Sequence, residues 1–354
     1  MNKAKTYAQT GAITFGIGNA LINALYQLSN NNPNKKFDWR QLAFAAGKGA
    51  LFGGAGGFVL GSIRDNQMTQ AFSKFGTVPN YLHKSLDYYK DDNALLLSKA
   101  EQVKVKLNQK FRSDLAITPK FHGSIAKGTN ISGSDIDIQL QFKKDSGTLA
   151  DLYYTVSDFA FDEFKDVTLE GVREQKHSIG MEFKIKDEIK RIDIVPIRQI
   201  ENGNNDTCLF VNKTGFFEKP TYKKTNSLKQ LSVLTFNYRE KRIIKLLKVW
   251  KAENNLSIKS IYLEWLAKKA IEQKSLSNNI EKALLDVIYF IAKNIEYLRI
   301  VDPANSNNII SSSLTNEEKS TISQFCFKMI EDIKKDNRNV IEYFPSLESI
   351  SYNI

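Results

Sequence analysis

Cysteine and histidine are scarce in this chain: 354 residues hold two cysteines, Cys208 and Cys326, and three histidines. Two thiols build neither a disulfide framework nor a four-cysteine zinc site. With no evident cleavable leader, that points to a reducing cytoplasm. An internal repeat is also lacking. Strong compositional bias is absent too, since 42% hydrophobic and 25% charged residues match an ordinary globular protein. Collagen-like, coiled-coil and wholly disordered readings are excluded, and the length suits two or three structural units.

What is present is a basic excess, and it is uneven. The formal net charge is +11; residues 1–76 carry eight basic and two acidic side chains, a net of +6, which leaves +5 for the remaining 278 residues. The same N-terminal fifth holds two long uncharged stretches. Tyr7 to Leu28 has no charge, and Leu42 to Ile63 has only Lys48. Each could cross a bilayer as a helix of ~20 residues. Gly49, Gly53, Gly57 and Gly61 recur every fourth residue and so fall on one helical face, a ridge that lets another helix approach closely. Polar residues dilute the first stretch, and Lys35, Lys36 and Arg40 in the connection run against the positive-inside tendency. Two readings of residues 7–63 stay open: a membrane-spanning hairpin, or a soluble or peripheral one that packs on itself or on a second copy.

From Pro79 the texture is α+β. Periodicity predicts helices over Tyr81–Phe111, Leu149–Phe164, Leu228–Lys251, Ile258–Gln273, Ile280–Tyr297 and Asn316–Asp336. Strands are expected at Ile117–Phe121, along the alternating Ile136–Phe142, and at Ile179–Ile185 and Ile189–Ile197 paired across Lys186–Glu188, with 200–227 read as loop. Strands first and helices after imply a mixed sheet followed by a helical domain, with boundaries at 1–76, 77–227 and 228–354.

Three carboxylates stand out. Asp135 and Asp137 are two apart at the start of a strand, so both point to one face, where like charges repel unless a cation lies between them. Hard divalent cations, Mg²⁺ above all, take such oxygen ligands. Asp193 interrupts the apolar strand RIDIVPI and calls for a partner, for which a shared metal is economical. Gly123-Ser124, ten residues upstream of the pair, offers backbone N–H groups and a hydroxyl suited to a phosphate. Singly, each motif is also a common turn or cap; in this order on strands the set is specific.

GSIAKGTNISGSDIDIQLQF and RIDIVPI resemble the DNA polymerase β-like nucleotidyltransferases, and within them the cGAS/DncV-like enzymes (CD-NTases). KRIIKLLKVWK, and Ser260 to Glu264 in IKSIYLEWL, are similar to that family's helical half, so the resemblance spans about 80–345. It implies a polymerase β-like mixed sheet with a C-terminal helical domain, preceded here by the glycine-rich hairpin. It also implies an enzyme that joins ribonucleoside triphosphates, ATP or GTP among them, into a cyclic di- or trinucleotide or short oligonucleotide, in bacterial antiphage defence. Asp135, Asp137 and Asp193 would be catalytic and hold two Mg²⁺ ions, with Mn²⁺ the alternative. Gly123, Ser124, Lys248 and Ser260 would bind the nucleotide, with Lys245 a rival to Lys248. The implied partners are the triphosphates, an effector that binds the product, and a membrane or second copy through residues 7–63. The implied location is cytoplasmic, or membrane-associated through that hairpin. Two departures are plain. Ile261 stands where several relatives have a base-stacking tyrosine, with Tyr262 turned away, and the absence of a Cys/His cluster leaves no DNA-sensing zinc ribbon. The competing readings are transfer to RNA ends, as in CCA-adding enzymes, and a non-catalytic nucleotide-binding regulator of a membrane-active hairpin.

Overall fold

The computed structural model describes residues 75–90, 94–201, 205–213 and 219–344. The glycine-ridged segment 7–63 lies outside them. The described residues from Val78 on belong to one compact unit, and among them no helix is long and apolar enough to cross a membrane.

The described elements begin with α1 (Val78–Tyr88) and α2 (Ala94–Phe111) where periodicity predicted one helix from Tyr81 to Phe111. The first helix closes in a tight turn in which Lys90 N donates to Asp87 O. Then come β1 (Lys120–Phe121), α3 (Gly123–Lys127) and β2 (Ile136–Phe142). After α4 (Leu149–Asp158) and its π-turn extension Phe159–Glu163 come β3 (Leu169–Glu174), β4 (Ile179–Ile185) and β5 (Glu188–Gln199). Strands β6 (Thr207–Val211) and β7 (Thr221–Thr225) occupy the stretch read as loop. β7 is polar, with Lys223 and Lys224 adjacent and Tyr222 exposed, and β6 is a five-residue run of Thr207 followed by Cys208, Leu209, Phe210 and Val211, so apolar–polar alternation marks neither.

The sheet runs β1-β2-β5-β4-β3, with β6 and β7 continuing from the far half of β5. All contacts are antiparallel except β2 with β5, which are parallel in register from Ile136 opposite Ile192 to Phe142 opposite Arg198. Alternation decides the faces. Ile136, Ile138, Leu140 and Phe142 pack into the core with Leu96, Val103, Leu107 and Phe111 of α2 and Tyr153 and Val156 of α4. Asp137, Gln139 and Gln141 therefore fall on the other face.

The helical half holds α5 (Ser227–Val233), α6 (Tyr238–Glu253), α7 (Ser260–Gln273), α8 (Ile280–Asn294) and α9 (Asn316–Lys335). The expected helix Leu228–Lys251 is two, because Asn237 and Glu240 form a reciprocal cap that restarts the helix at Tyr238. A small hairpin, β8 (Val301–Asp302) and β9 (Asn305–Ile309), fills a region that carried no strand signal.

Candidate active site

Register brings the carboxylates together. Asp137 on β2 lies directly opposite Asp193 on the parallel strand β5, and Asp135 stands two residues ahead of Asp137. They crowd one another. Burial first, then the charges of Asp135 and Asp137, push Asp193 up to about 7. Burial and then Asp135 push Asp137 up to about 6, against the pull of Lys127 and Lys248. Asp135 is raised by burial, with Arg191 and Arg173 opposing. Two of the three are steadied by neighbours. Arg191 reaches within 3.7 Å of Asp135 Oδ2, and Gln175 Nε2 donates to Asp193 Oδ1 at 3.2 Å. With those side chains so turned, no three carboxylate, imidazole or thiol groups among the described residues converge as ready-made metal ligands.

Above Asp137 sits α3, the short helix that Gly123 and Ser124 open. Gly123 takes φ +60°, and a Cβ there would overlap the Asp137 carboxylate, so glycine is required twice over. The helix ends on Gly128 at φ +67°. His122, just before this helix, donates its backbone N–H to Asp137 O at 2.8 Å, and burial pushes its imidazole down to about 4.

Facing the carboxylates is a cleft of ≈ 600 Å³ lined by Gly123, Ser124, Asp135, Asp137, Lys248, Lys251, Ser260 and Glu264, among others. It joins the α3 side of the sheet to α6 and α7. Asp193 lies beside Asp137 but is not among its lining residues. Ser260 is the first residue of α7 rather than its cap, which is Lys259. The first turn of a helix leaves N–H groups without intrahelical acceptors, so the cleft meets a donor-rich helix end.

Lys248, expected to bind the nucleotide, lines the cleft with its ammonium already engaged: Nζ donates to Thr129 O (2.9 Å) and Thr129 Oγ1 (3.0 Å) and pairs with Glu264 Oε1 (2.8 Å). Three protons have three protein acceptors. Glu264, 1% exposed, also pairs with Lys127 and accepts from Thr129 Oγ1 at 2.7 Å. Burial alone would raise Glu264, but the charges of Lys127 and Lys248 outweigh it and hold it below the usual range. This cluster ties the end of α3 to α6 and α7. The cleft cation without an ion pair or hydrogen bond among the described residues is Lys251, one turn beyond Lys248. Tyr262 is fully buried with its hydroxyl on Ile295 O, as the helix geometry predicted, so no base stacks on it.

No protein-family model matches the sequence, and no curated protein does. Solved structures do. The Bradyrhizobium diazoefficiens CD-NTase CdnG in complex with GTP superposes at a TM-score of 0.62 and 12% identity, over 77% of this chain and 96% of that one. The fold is that of a cGAS/DncV-like nucleotidyltransferase. E. coli MS115-1 CdnC with ATP shares the nucleotidyltransferase fold at a TM-score of 0.58 and 17% identity, over 74% of this chain and 94% of that one. So does mtPAP in complex with ATPγS, as its N472D mutant, at a TM-score of 0.55 and 10% identity, over 81% and 75%. At such identities what is shared is the nucleotidyltransferase fold.

Lys127, Thr129, Gln175, Arg191, Lys251 and Glu264 carried no assigned role from the sequence. Glu264 had a readable signal: a lone acid in the apolar run IYLEWLA must find a partner.

Proposed function

We propose that the chain is a Mg²⁺-dependent nucleotidyltransferase that joins ribonucleoside triphosphates into a cyclic di- or trinucleotide or a short oligonucleotide, acting in antiphage defence. The observation that carries this is the register of Asp137 opposite Asp193 beside the glycine-fitted α3, on the wall of a polar cleft. The fold likeness to structures holding GTP and ATP supports it.

Ser124, Ser260 and Lys251, whose side chains have no hydrogen-bond partner among the described residues, would meet the triphosphate, whose α-phosphorus would then lie toward the carboxylates. A ribose hydroxyl of the second nucleotide forms a bond to that phosphorus, the bond from the α-phosphorus to the bridging oxygen breaks, and pyrophosphate leaves. Asp193, opposite Asp137 in the strand register, is the carboxylate suited to take the hydroxyl proton. The donor set fits a divalent cation: three hard-oxygen ligands repel one another, and Mg²⁺ is usually held by one or two carboxylates plus substrate phosphates rather than by an all-protein cage. Asp135, Asp137 and Asp193 would hold it, and when bound it supplies Lewis-acid stabilisation of the charge on the transferring phosphoryl group.

A second reading, transfer to RNA ends, draws on the likeness to mtPAP. One experiment tests both. Purified protein is incubated with labelled ribonucleoside triphosphates and Mg²⁺, with and without RNA, and the products are identified by mass spectrometry. A phosphatase-resistant nucleotide product without RNA supports the leading reading, and products only on added RNA support the second. Residues 1–76 are proposed as a separable element for assembly or membrane association, 77–227 as the catalytic half and 228–354 as the nucleotide-binding half.

A further inference from the structure

We infer that Gln175 is a positioning residue for Asp193, and that the turn between β3 and β4 is built to present its side-chain amide to that carboxylate. The inference rests on reading Asp193 as the third carboxylate of the transfer site. Gln175 Nε2 donates to Asp193 Oδ1 at 3.2 Å. The other end of the amide is fixed as well, since Ser178 Oγ donates to Gln175 Oε1 at 3.1 Å, which decides which end faces the carboxylate. The backbone beneath is pinned from two directions. Gln175 N donates to Ser178 O at 2.9 Å, and the Tyr153 hydroxyl donates to Gln175 O at 2.7 Å and stands 3.0 Å from Gln175 N. Tyr153 is fully buried in the sheet's core, so the support is rigid.

A glycine completes the arrangement. Gly180 on β4 is the residue directly opposite Asp193 on β5. Its backbone is ordinary extended strand, so no left-handed conformation demands glycine there. What it provides is room for the amide: a Cβ at 180 would overlap Gln175 Nε2 and come within 3.1 Å of Asp193 Oδ1, so the Gln175 side chain would have to leave its place. Glycine inside a strand costs roughly 0.5–1 kcal/mol relative to alanine, and here the vacated volume is where the amide lies.

The chemistry explains why an amide suits the position. Asp193 is repelled by Asp135 and Asp137 and can rotate about its Cβ–Cγ bond. A lysine or arginine would hold it but cancel the charge a cation needs. A neutral donor fixes Oδ1 and leaves Oδ2 negative. Outer partners of this kind orient metal-binding side chains, and their loss commonly costs about 10–100-fold in metal affinity or activity.

The test compares wild type, Gln175→Ala, Ser178→Ala, the double variant and Asp193→Asn. Mn²⁺ binding is followed by electron paramagnetic resonance, and kcat and KM are measured on triphosphate. Gln175→Ala is expected to weaken Mn²⁺ binding and lower kcat, each by about 10–100-fold, with KM little changed. Ser178→Ala should shift both in the same direction by less, and the double variant should be no worse than Gln175→Ala, because both act through one amide. Wild-type Mn²⁺ affinity and kcat in Gln175→Ala overturns the inference, as does a double variant whose losses simply add. If Asp193→Asn is inactive while Gln175→Ala is unaffected, this inference alone fails. If Asp193→Asn turns over normally, the transfer-site reading fails instead.

Discussion

Replacing Glu264 with alanine should lower stability far more than a typical single substitution. The carboxylate is 1% exposed and serves Lys248, Lys127 and Thr129 at once. Without it, Lys248, itself 4% exposed, keeps two hydrogen bonds to Thr129 but loses its counter-charge. Removing one partner of a buried pair costs about 3–5 kcal/mol, because the remaining charge stays buried uncompensated. Lys127 adds little to that figure, since it can turn into the cleft it already lines. For a unit of this size each kcal/mol moves Tm by roughly 2–4 °C, so a fall of about 10 °C is expected. Differential scanning calorimetry and urea titration at pH 7.5 measure it. The companion variant Glu264→Leu with Lys248→Met should recover most of the loss, since apolar replacement of a buried pair is often neutral or better. A loss below about 1 kcal/mol, the range of exposed pairs, would refute the reasoning and show that the Lys248 ammonium is available to a phosphate.

Asp137→Asn and Asp193→Asn should each abolish transfer in the product assay while raising the metal-free Tm at pH 8, because each removes one of several crowded charges. Both carboxyls bind protons more tightly folded than unfolded. In the metal-free protein these two groups therefore contribute stability that is fully present below the ordinary carboxylate value and is lost as pH rises through about 6 and about 7, a contribution that thermal melts of wild type against Asp137→Asn and Asp193→Asn should isolate and that should vanish on addition of Mg²⁺. Lys251→Ala and Ser260→Ala should raise KM for triphosphate with kcat at saturation nearly kept, about 10-fold or more for the lysine, since a hydrogen bond to a charged group is worth about 1.5–3 kcal/mol; unchanged KM in both would remove them from the site. Gly123→Ala should fold yet lose activity, because its methyl group displaces the Asp137 carboxylate; turnover at the wild-type level would show that α3 shifts freely.

The sequence was most legible where local pattern and chemistry coincide. Ile136–Phe142 alternates strictly, so its core face and the opposite face that carries Asp137 are readable from the sequence alone. Asp193 was visible because an acid among isoleucine and valine is costly unless answered. What escaped was set by long-range neighbours. Lys248 has the sequence context of a phosphate ligand, and only the approach of α7 and the Thr129 loop takes up its ammonium. Gln175 carries no periodic signal, being one amide in a turn whose role depends on the strand two places along in the sheet. Strand β7 failed the alternation test because Lys223 lines a cleft and its neighbour Lys224 pairs with Asp206 at the sheet margin, and β6 because Cys208, Leu209, Phe210 and Val211 run on without a polar residue between them.

The parallel pairing of β2 with β5 also fixes when activity can arise. Asp193 belongs to a tight hairpin, β4 to β5, whose turn residues Lys186 and Asp187 adopt positive φ. Such hairpins form within about 1–10 μs. Asp137 and Asp193 meet only after that hairpin docks beside β2 across α4 and β3, a non-local contact that must be reached against loop entropy. A nascent chain that has emerged only through β2 carries Asp135 and Asp137 but not Asp193. In refolding, catalysis should therefore return with the slowest structural phase, and no partly folded form should consume nucleotide.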